Sequence, residues 1–139
     1  IITNDELISS DVDVLVLAAL GDVVTEANMK DVRAKIILEL ANGPVNDVAY
    51  EYLTEQGVLV VPDIIANAGG VVVSYLEWLQ NRAGEQWSEE TVNQKLDTYL
   101  VRSTKQMYAY STEQNASLKE SAFALAIRRI LEGKSGNNT

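Results

Sequence analysis

The apolar positions of this chain change their period part way along. In the first half they come in short, near-continuous runs; in the second they recur at helical spacing. Val12 to Leu17 (VDVLVL), Ala34 to Leu40 (AKIILEL) and Val58 to Val61 (VLVV) are runs of the kind that strands buried on both faces of a parallel sheet show. Between them lie helix signals. Thr3 and Glu6 have capping-box spacing for a short helix, Thr25 can cap another through about Asp31, and Asn46 a third through about Glu55, closed by Gly57. Asn42-Gly43-Pro44 is a turn, and Pro62 stops the third run. Strand, helix, strand, helix, strand predicts a βαβ pattern in a doubly wound sheet.

From Asn67 the alternation gives way to three helices, with turns near Gly84 to Trp87 and near Asn115 to Ser117. Val71, Tyr75, Trp78 and Leu79 form the first stripe. Ser88 starts the second helix, with Glu89 and Glu90 against its dipole and a stripe of Val92, Leu96, Tyr99, Leu100 and Met107. A Ser117 to Glu120 capping box opens the third, which is expected to bury Phe123, Ile127, Ile130 and Leu131 and to end at Gly133. Tyr75, Trp78, Trp87, Tyr99, Tyr108 and Tyr110 fall mostly on such stripes and read as core packing. The expected organisation is a partial Rossmann-like α/β unit over 1–66, helices packing on it over 67–133, and a disordered tail over 134–139.

Three parallel strands make half of a dinucleotide-binding fold, normally assembled from two such halves. No G-x-G-x-x-G and no G-x-x-x-x-G-K-S/T occurs, so the usual cradle for a pyrophosphate is missing. The first strand is therefore expected to present an uncovered edge, together with apolar faces meant for absent helices, through which two copies could pair or exchange elements.

Composition narrows the chemistry. The net charge of −9 disfavours phosphate backbones and anionic lipid surfaces, so neither nucleic acid nor membrane is an expected partner. With no cysteine and no histidine, the chain has no disulfide, no Ser-His-Asp triad, no Cys-His pair and none of the usual zinc sites. No apolar run nears the roughly 20 residues a spanning helix needs, and a soluble, cytoplasmic protein is expected. The start at Ile1-Ile2-Thr3, without Met or leader, suggests a chain cut from something longer.

Ligands of open α/β sheets bind beyond the carboxyl ends of the strands, here at Ala41 to Pro44 and Asp63 to Gly70. Both turns contain Asn. An Asn amide offers a donor and an acceptor, which suits a carboxamide or a ribose, but Asn42 also serves as a turn former and Asn67 as a helix cap. Gly69-Gly70 admits either a ligand or a neighbouring helix close to the backbone. Ser74, one turn on, has a hydroxyl for a carboxylate or for a carbonyl of the preceding turn. Asp63 and Glu77 flank the segment and read as solvated or capping groups.

DVDVLVLAA (Asp11 to Ala19), AKIILELANGP (Ala34 to Pro44) and GVLVVPDIIANAGGVVVSYLEW (Gly57 to Trp78) together resemble the NAD(P)-dependent glutamate dehydrogenases, up to about Gly133. ANGP together with PDIIANAGGV favours glutamate over the branched-chain and aromatic amino-acid dehydrogenases of the same wider family. The resemblance implies the second half of a Rossmann-like domain followed by C-terminal helices. Within it, Ala18, Asn42 and Asn67 would lie beside the nicotinamide and its ribose, Val71 against the carbon chain of the substrate, and Ser74 on its side-chain carboxylate. The chain departs from the family at Leu17, where Pro is common before the paired alanines, and at Val72, where Thr often follows GGV.

The implied reaction of the parent is oxidation of L-glutamate with NAD or NADP and water to 2-oxoglutarate, ammonia and reduced cofactor, in a homo-oligomer expected to be a hexamer. The family's catalytic Lys and Asp and its glycine-rich loop lie N-terminal to the matched portion. Lys30, Lys35, Lys95, Lys105, Lys119 and Lys134 stand in other contexts, so no catalytic residue and no metal site is expected here and the isolated chain is expected to be inactive. The competing expectation is a non-catalytic half-domain that works as an interaction or binding module.

Overall fold

A computed structural model describes residues 2–136. It divides into two compact units, Ile1–Asn67 and Ala68–Thr139. The first opens with α1 (Asn4–Ile8), whose capping box is complete: Glu6 N–H donates to Thr3 Oγ1 at 3.2 Å and Thr3 N–H to the Glu6 carboxylate at 2.7 Å. Strands β1 (Val14–Leu17), β2 (Ile36–Glu39) and β3 (Leu59–Val61) follow, with α2 (Asp47–Glu55) between the last two. They form one parallel sheet in the order β1-β2-β3, with Leu15 opposite Ile37 and Ile37 opposite Val60.

One face of this sheet is the core. Leu15, Leu17, Ile37 and Val60 are buried against Ile8, Val24, Ala34, Val45, Ala49, Tyr50 and Leu53. The opposite face is open, the uncovered apolar face that half of a dinucleotide-binding fold is expected to show: Val14 and Val16 are 47% and 46% exposed, Leu59 is exposed too, and Ile36, Leu38 and Val61 are only partly buried. An apolar run reads the same whether one or both faces are covered, so the sequence pattern could not separate the two cases. β1 and β3 each pair only with β2, which leaves an unpaired ladder on the outer side of β1 among the described residues.

Asn46 caps α2 as expected, accepting from Ala49 N–H at 2.8 Å, and Gly57 turns the chain at φ +82. The helix expected from Thr25 is shorter. Thr25 to Asn28 form a turn held by Thr25 N–H on Asn28 Oδ1, and only Met29–Asp31 make a single 3-10 turn. Val24 instead makes an isolated parallel bridge to Val45, which pulls this segment toward the sheet.

After β3 comes α3 (Asp63–Ala66), a four-residue helix inside what reads as a turn, with Asn67 at its C-terminal end. The second unit consists of α4 (Gly69–Ala83), α5 (Glu89–Gln114) and α6 (Leu118–Gly136). Its caps follow the sequence. Gly84 (φ +67) and Asn115 (φ +51) end α4 and α5 in the left-handed region, Ser88 accepts from Thr91 N–H, and the Ser117–Glu120 box opens α6. α6 continues through Gly133 to Gly136, and the rest of the expected 134–139 tail lies outside the described residues.

Burial in this unit corrects the expected stripes. Phe123, Ile127, Ile130 and Leu131 are all exposed, as are Val71, Tyr75, Trp78, Tyr99 and Tyr108; Met107 is buried as its stripe predicts, and Leu76, Leu118 and Ser121 are buried as well. The exposed rings find one another at the surface. Tyr75 and Trp78 stack with centroids 5.9 Å apart, and the Arg82 guanidinium lies 4.8 Å over Trp78.

Candidate functional site at the strand ends

The carboxyl ends of β1, β2 and β3 are tied to one another by backbone. The Leu17 carbonyl accepts from Leu40 N–H at 2.9 Å and Ala41 N–H at 2.8 Å. Beyond β1, Asp22 N–H donates to the Gly43 carbonyl and Val23 N–H to that of Pro44. The loop that begins at Ala18 is thereby laid along the Asn42-Gly43-Pro44 turn. Gly21 is needed for this approach, since a Cβ there would come 3.1 Å from the Asn42 carbonyl oxygen. Gly43 itself turns at φ +56.

The two asparagines meet. Asn67 Nδ2 donates to Asn42 Oδ1 at 2.7 Å and makes a longer bond, 3.4 Å, to the Leu40 carbonyl. Asn42 Nδ2 and Asn67 Oδ1 have no hydrogen-bond partner among the described residues, so the pair presents one donor and one acceptor side by side. A carboxamide carries the complementary acceptor and donor. Ala18 is exposed at the head of its loop. The turn role of Asn42 remains, for it sits before the Gly43 turn, whereas α4 starts from Ala68 without a side-chain cap and Asn67 instead ends α3.

Beneath the pair are two carboxylates. Asp63 Oδ2 accepts from Gly43 N–H at 2.9 Å, joining the turn after β2 to the start of α3, and its Oδ1 accepts from Ile64 N–H at 2.7 Å. Glu39, the last residue of β2 and only 2% exposed, accepts from Asp63 N–H at 3.0 Å through Oε2. Asp63 thus does more than cap, and Glu39, which the sequence pattern places only within the AKIILEL run, belongs to the same set of contacts. The signal for it is a carboxylate inside an apolar strand, just ahead of the turn at the carboxyl end of that strand.

Val71 and Ser74, the positions the resemblance assigns to the substrate, lie in the second unit, on α4. Ser74 Oγ donates to the Gly70 carbonyl at 3.1 Å, the local bond a helical Ser makes by default, while its side chain is exposed. Val71 is 74% exposed. Of the paired glycines, Gly69 packs toward α5, where an added Cβ would be 3.9 Å from Leu100 and 4.0 Å from Leu96; Gly70 faces open space. At those distances a Cβ on Gly69 would make ordinary van der Waals contact, so its packing toward α5 does not demand glycine.

Carboxyl groups held below their ordinary range are found elsewhere. Glu6 and Glu120 are lowered first by the backbone N–H of Thr3 and of Ser117, and Glu26 by the side-chain amide of Asn46. No group of three or more possible metal ligands occurs among the described residues. Nor is any helix among them long and apolar enough to cross a membrane.

Residues 1–136 match the model of the glutamate/leucine/phenylalanine/valine dehydrogenase family, and the chain belongs to that family. It is 44% identical over 131 residues to the NAD-specific glutamate dehydrogenase of Staphylococcus aureus (strain COL), covering 94% of this chain and 32% of the relative. Among solved structures, the hetero-hexameric glutamate dehydrogenase of Thermus thermophilus in its Leu-bound form superposes with a TM-score of 0.88 at 33% identity, over 94% of this chain and 31% of that one. The L-tryptophan dehydrogenase of Nostoc punctiforme superposes at 0.77 with 26% identity, over 94% and 38%. The chain spans about a third of the length of the curated relatives it matches. The three parallel strands and C-terminal helices anticipated from the sequence are the architecture seen in these dehydrogenases.

Proposed function

We propose that this chain is the C-terminal part of the cofactor-binding domain of a glutamate dehydrogenase, forming the nicotinamide wall of an enzyme that interconverts L-glutamate and 2-oxoglutarate with ammonia. The observation that carries this reading is the Asn67–Asn42 bond at the strand ends, which leaves one amide donor and one amide acceptor for a ligand. The relatives at 44% and 33% identity are both glutamate dehydrogenases, which supports the substrate. A nicotinamide cofactor, when bound, takes up the hydride from the substrate α-carbon. The work of this chain is orientation: Asn42 and Asn67 hold the carboxamide and ribose, Ala18 keeps its loop open beside them, Ser74 binds the side-chain carboxylate, and Val71 packs on the carbon chain.

In the intact enzyme, Asn67→Ala and Asn42→Ala should each weaken NADH binding about tenfold, the worth of one or two polar contacts, as read by fluorescence titration. Unchanged affinity in both variants would remove the nicotinamide assignment. The isolated chain, lacking the family's acid-base residues, should reduce neither NAD nor NADP in the presence of glutamate; measurable turnover would overturn that part. The open side of β1 and the exposed Ile127, Ile130 and Leu131 favour a second reading, a half-domain that works by pairing with another copy, within or apart from a hexameric parent. Sedimentation showing only monomer at high concentration would dismiss it.

A further inference from the structure

We infer that Glu39 and Asp63 are positioning residues for the cofactor wall, acting through Asn42 and Asn67. This rests on the proposed nicotinamide role of the two asparagines. Asn42 sits in a turn after β2 and Asn67 at the far end of α3, 25 residues apart in sequence. Their 2.7 Å bond requires the turn and the helix to be held at one separation. A hydrogen bond between two solvent-accessible amides cannot set that separation itself, because water offers each amide an equivalent partner.

Asp63 can set it. One carboxylate oxygen takes the Gly43 N–H, next to Asn42, and the other takes the Ile64 N–H in the first turn of α3, the helix that ends at Asn67. Each is a charge-assisted bond to backbone, and both acceptors belong to one planar group, so turn and helix are fixed to a common frame. Glu39 fixes that frame to the sheet. Its carboxylate receives the Asp63 N–H from a position paired with Leu17 on the buried face, among apolar side chains. A carboxylate buried there is costly to desolvate, and its bond to α3 anchors that helix to the end of β2. The chain of contacts runs Glu39, Asp63, Gly43, Asn42 on one branch and Glu39, Asp63, Ile64, Asn67 on the other.

The test uses the intact dehydrogenase with NADH as probe. Asp63→Ala removes both acceptors, so NADH affinity should fall at least tenfold, and in crystals without cofactor the Asn67 Nδ2 to Asn42 Oδ1 contact should lengthen beyond hydrogen-bond range. Asp63→Asn keeps one carbonyl oxygen and should recover part of the affinity. Glu39→Gln, which keeps an acceptor without the charge, should act in the same direction; if it fails to fold, the two Asp63 variants still decide. KM for glutamate at saturating cofactor should change less than KM for the cofactor. An intact asparagine contact and unchanged NADH affinity in Asp63→Ala would overturn the inference. If Asn42→Ala and Asn67→Ala also leave affinity unchanged, the nicotinamide reading fails; if they weaken it while Asp63→Ala does not, only the positioning role fails.

Discussion

The two units bury their apolar residues to very different extents. Residues 1–67 pack eleven buried side chains into one cluster around a three-stranded sheet, whereas residues 68–136 bury only Leu76, Met107 and Leu118 among their large apolar residues. Charge divides them too. Lys30, Arg33 and Lys35 are the only cations of the sheet unit, against twelve Asp and Glu, while the helical unit holds eight of each sign, so the whole net charge of −9 sits on the first. The sheet unit is held by its interior and the helical unit by its ends, where Ser88, the Ser117–Glu120 box, Gly84 and Asn115 satisfy backbone groups that three long helices would otherwise leave open. A low density of buried apolar contacts also means a lower free energy of local opening.

The largest expected effect breaks or upholds that contrast directly. Ile37 is fully buried in the middle strand, so Ile37→Ala leaves a cavity and should cost about 3 kcal/mol. Ile130 has the same chemistry at 59% exposure, and Ile130→Ala should stay within about 0.5 kcal/mol. Urea unfolding of both variants, read at the midpoint with unchanged slope, makes the comparison. Equal losses would mean that the α6 stripe is buried in the molecule in solution, and the contrast between the units would collapse.

What could be read in the sequence follows the same division. Strand positions, the α2 cap at Asn46 and both capping boxes are local, and local rules found them. Which face of a stripe is buried is not local: Phe123, Ile127, Ile130 and Leu131 keep helical spacing as well as Leu118 does, yet Leu118 is buried and they are not. The site shows the same limit. Asn42 and Asn67 stand out because they follow strands, but their contact, and the carboxylates of Glu39 and Asp63 beneath it, depend on chain segments twenty or more residues apart meeting in space. Glu39 was legible only as an oddity, a charge within an apolar run.

A middle-sized effect sharpens the difference in how opening propagates. Asn46→Ala removes the acceptor for Ala49 N–H and also the donor to Glu26, and Ser88→Ala removes the acceptor for Thr91 N–H; each cap should cost about 1 kcal/mol. Amide hydrogen exchange separates their reach. In the sheet unit, α2 is part of the core, so Asn46→Ala should raise exchange across β2 and β3 as well as in α2. In the helical unit, Ser88→Ala should raise it in the first turns of α5 and leave α6 unchanged. Uniform acceleration through α4, α5 and α6 would mean that the helical unit opens as one cooperative body, contrary to its sparse interior.

The smallest effect is where the units should behave alike. Each has a capping-box glutamate at the surface, Glu6 in α1 and Glu120 in α6, and each carboxyl is held below its ordinary range, chiefly by the backbone N–H of its cap residue. A depressed native value means that the unfolded chain binds protons more readily, so the stabilisation is present above the unfolded value and fades as pH falls through the folded one. Glu120→Gln keeps an acceptor but not the charge, so it should unfold at slightly lower urea than the parent at pH 7, and the gap should close in acid as pH falls below the ordinary Glu range and the native carboxyl protonates. Glu6→Gln should trace the same curve. Both groups are exposed to solvent, so raising the salt concentration should narrow both gaps at pH 7. If a gap survives at low pH, its source is the geometry of the bond rather than the charge, and if only Glu120 shows one, the helical unit depends on its caps more than the sheet unit does.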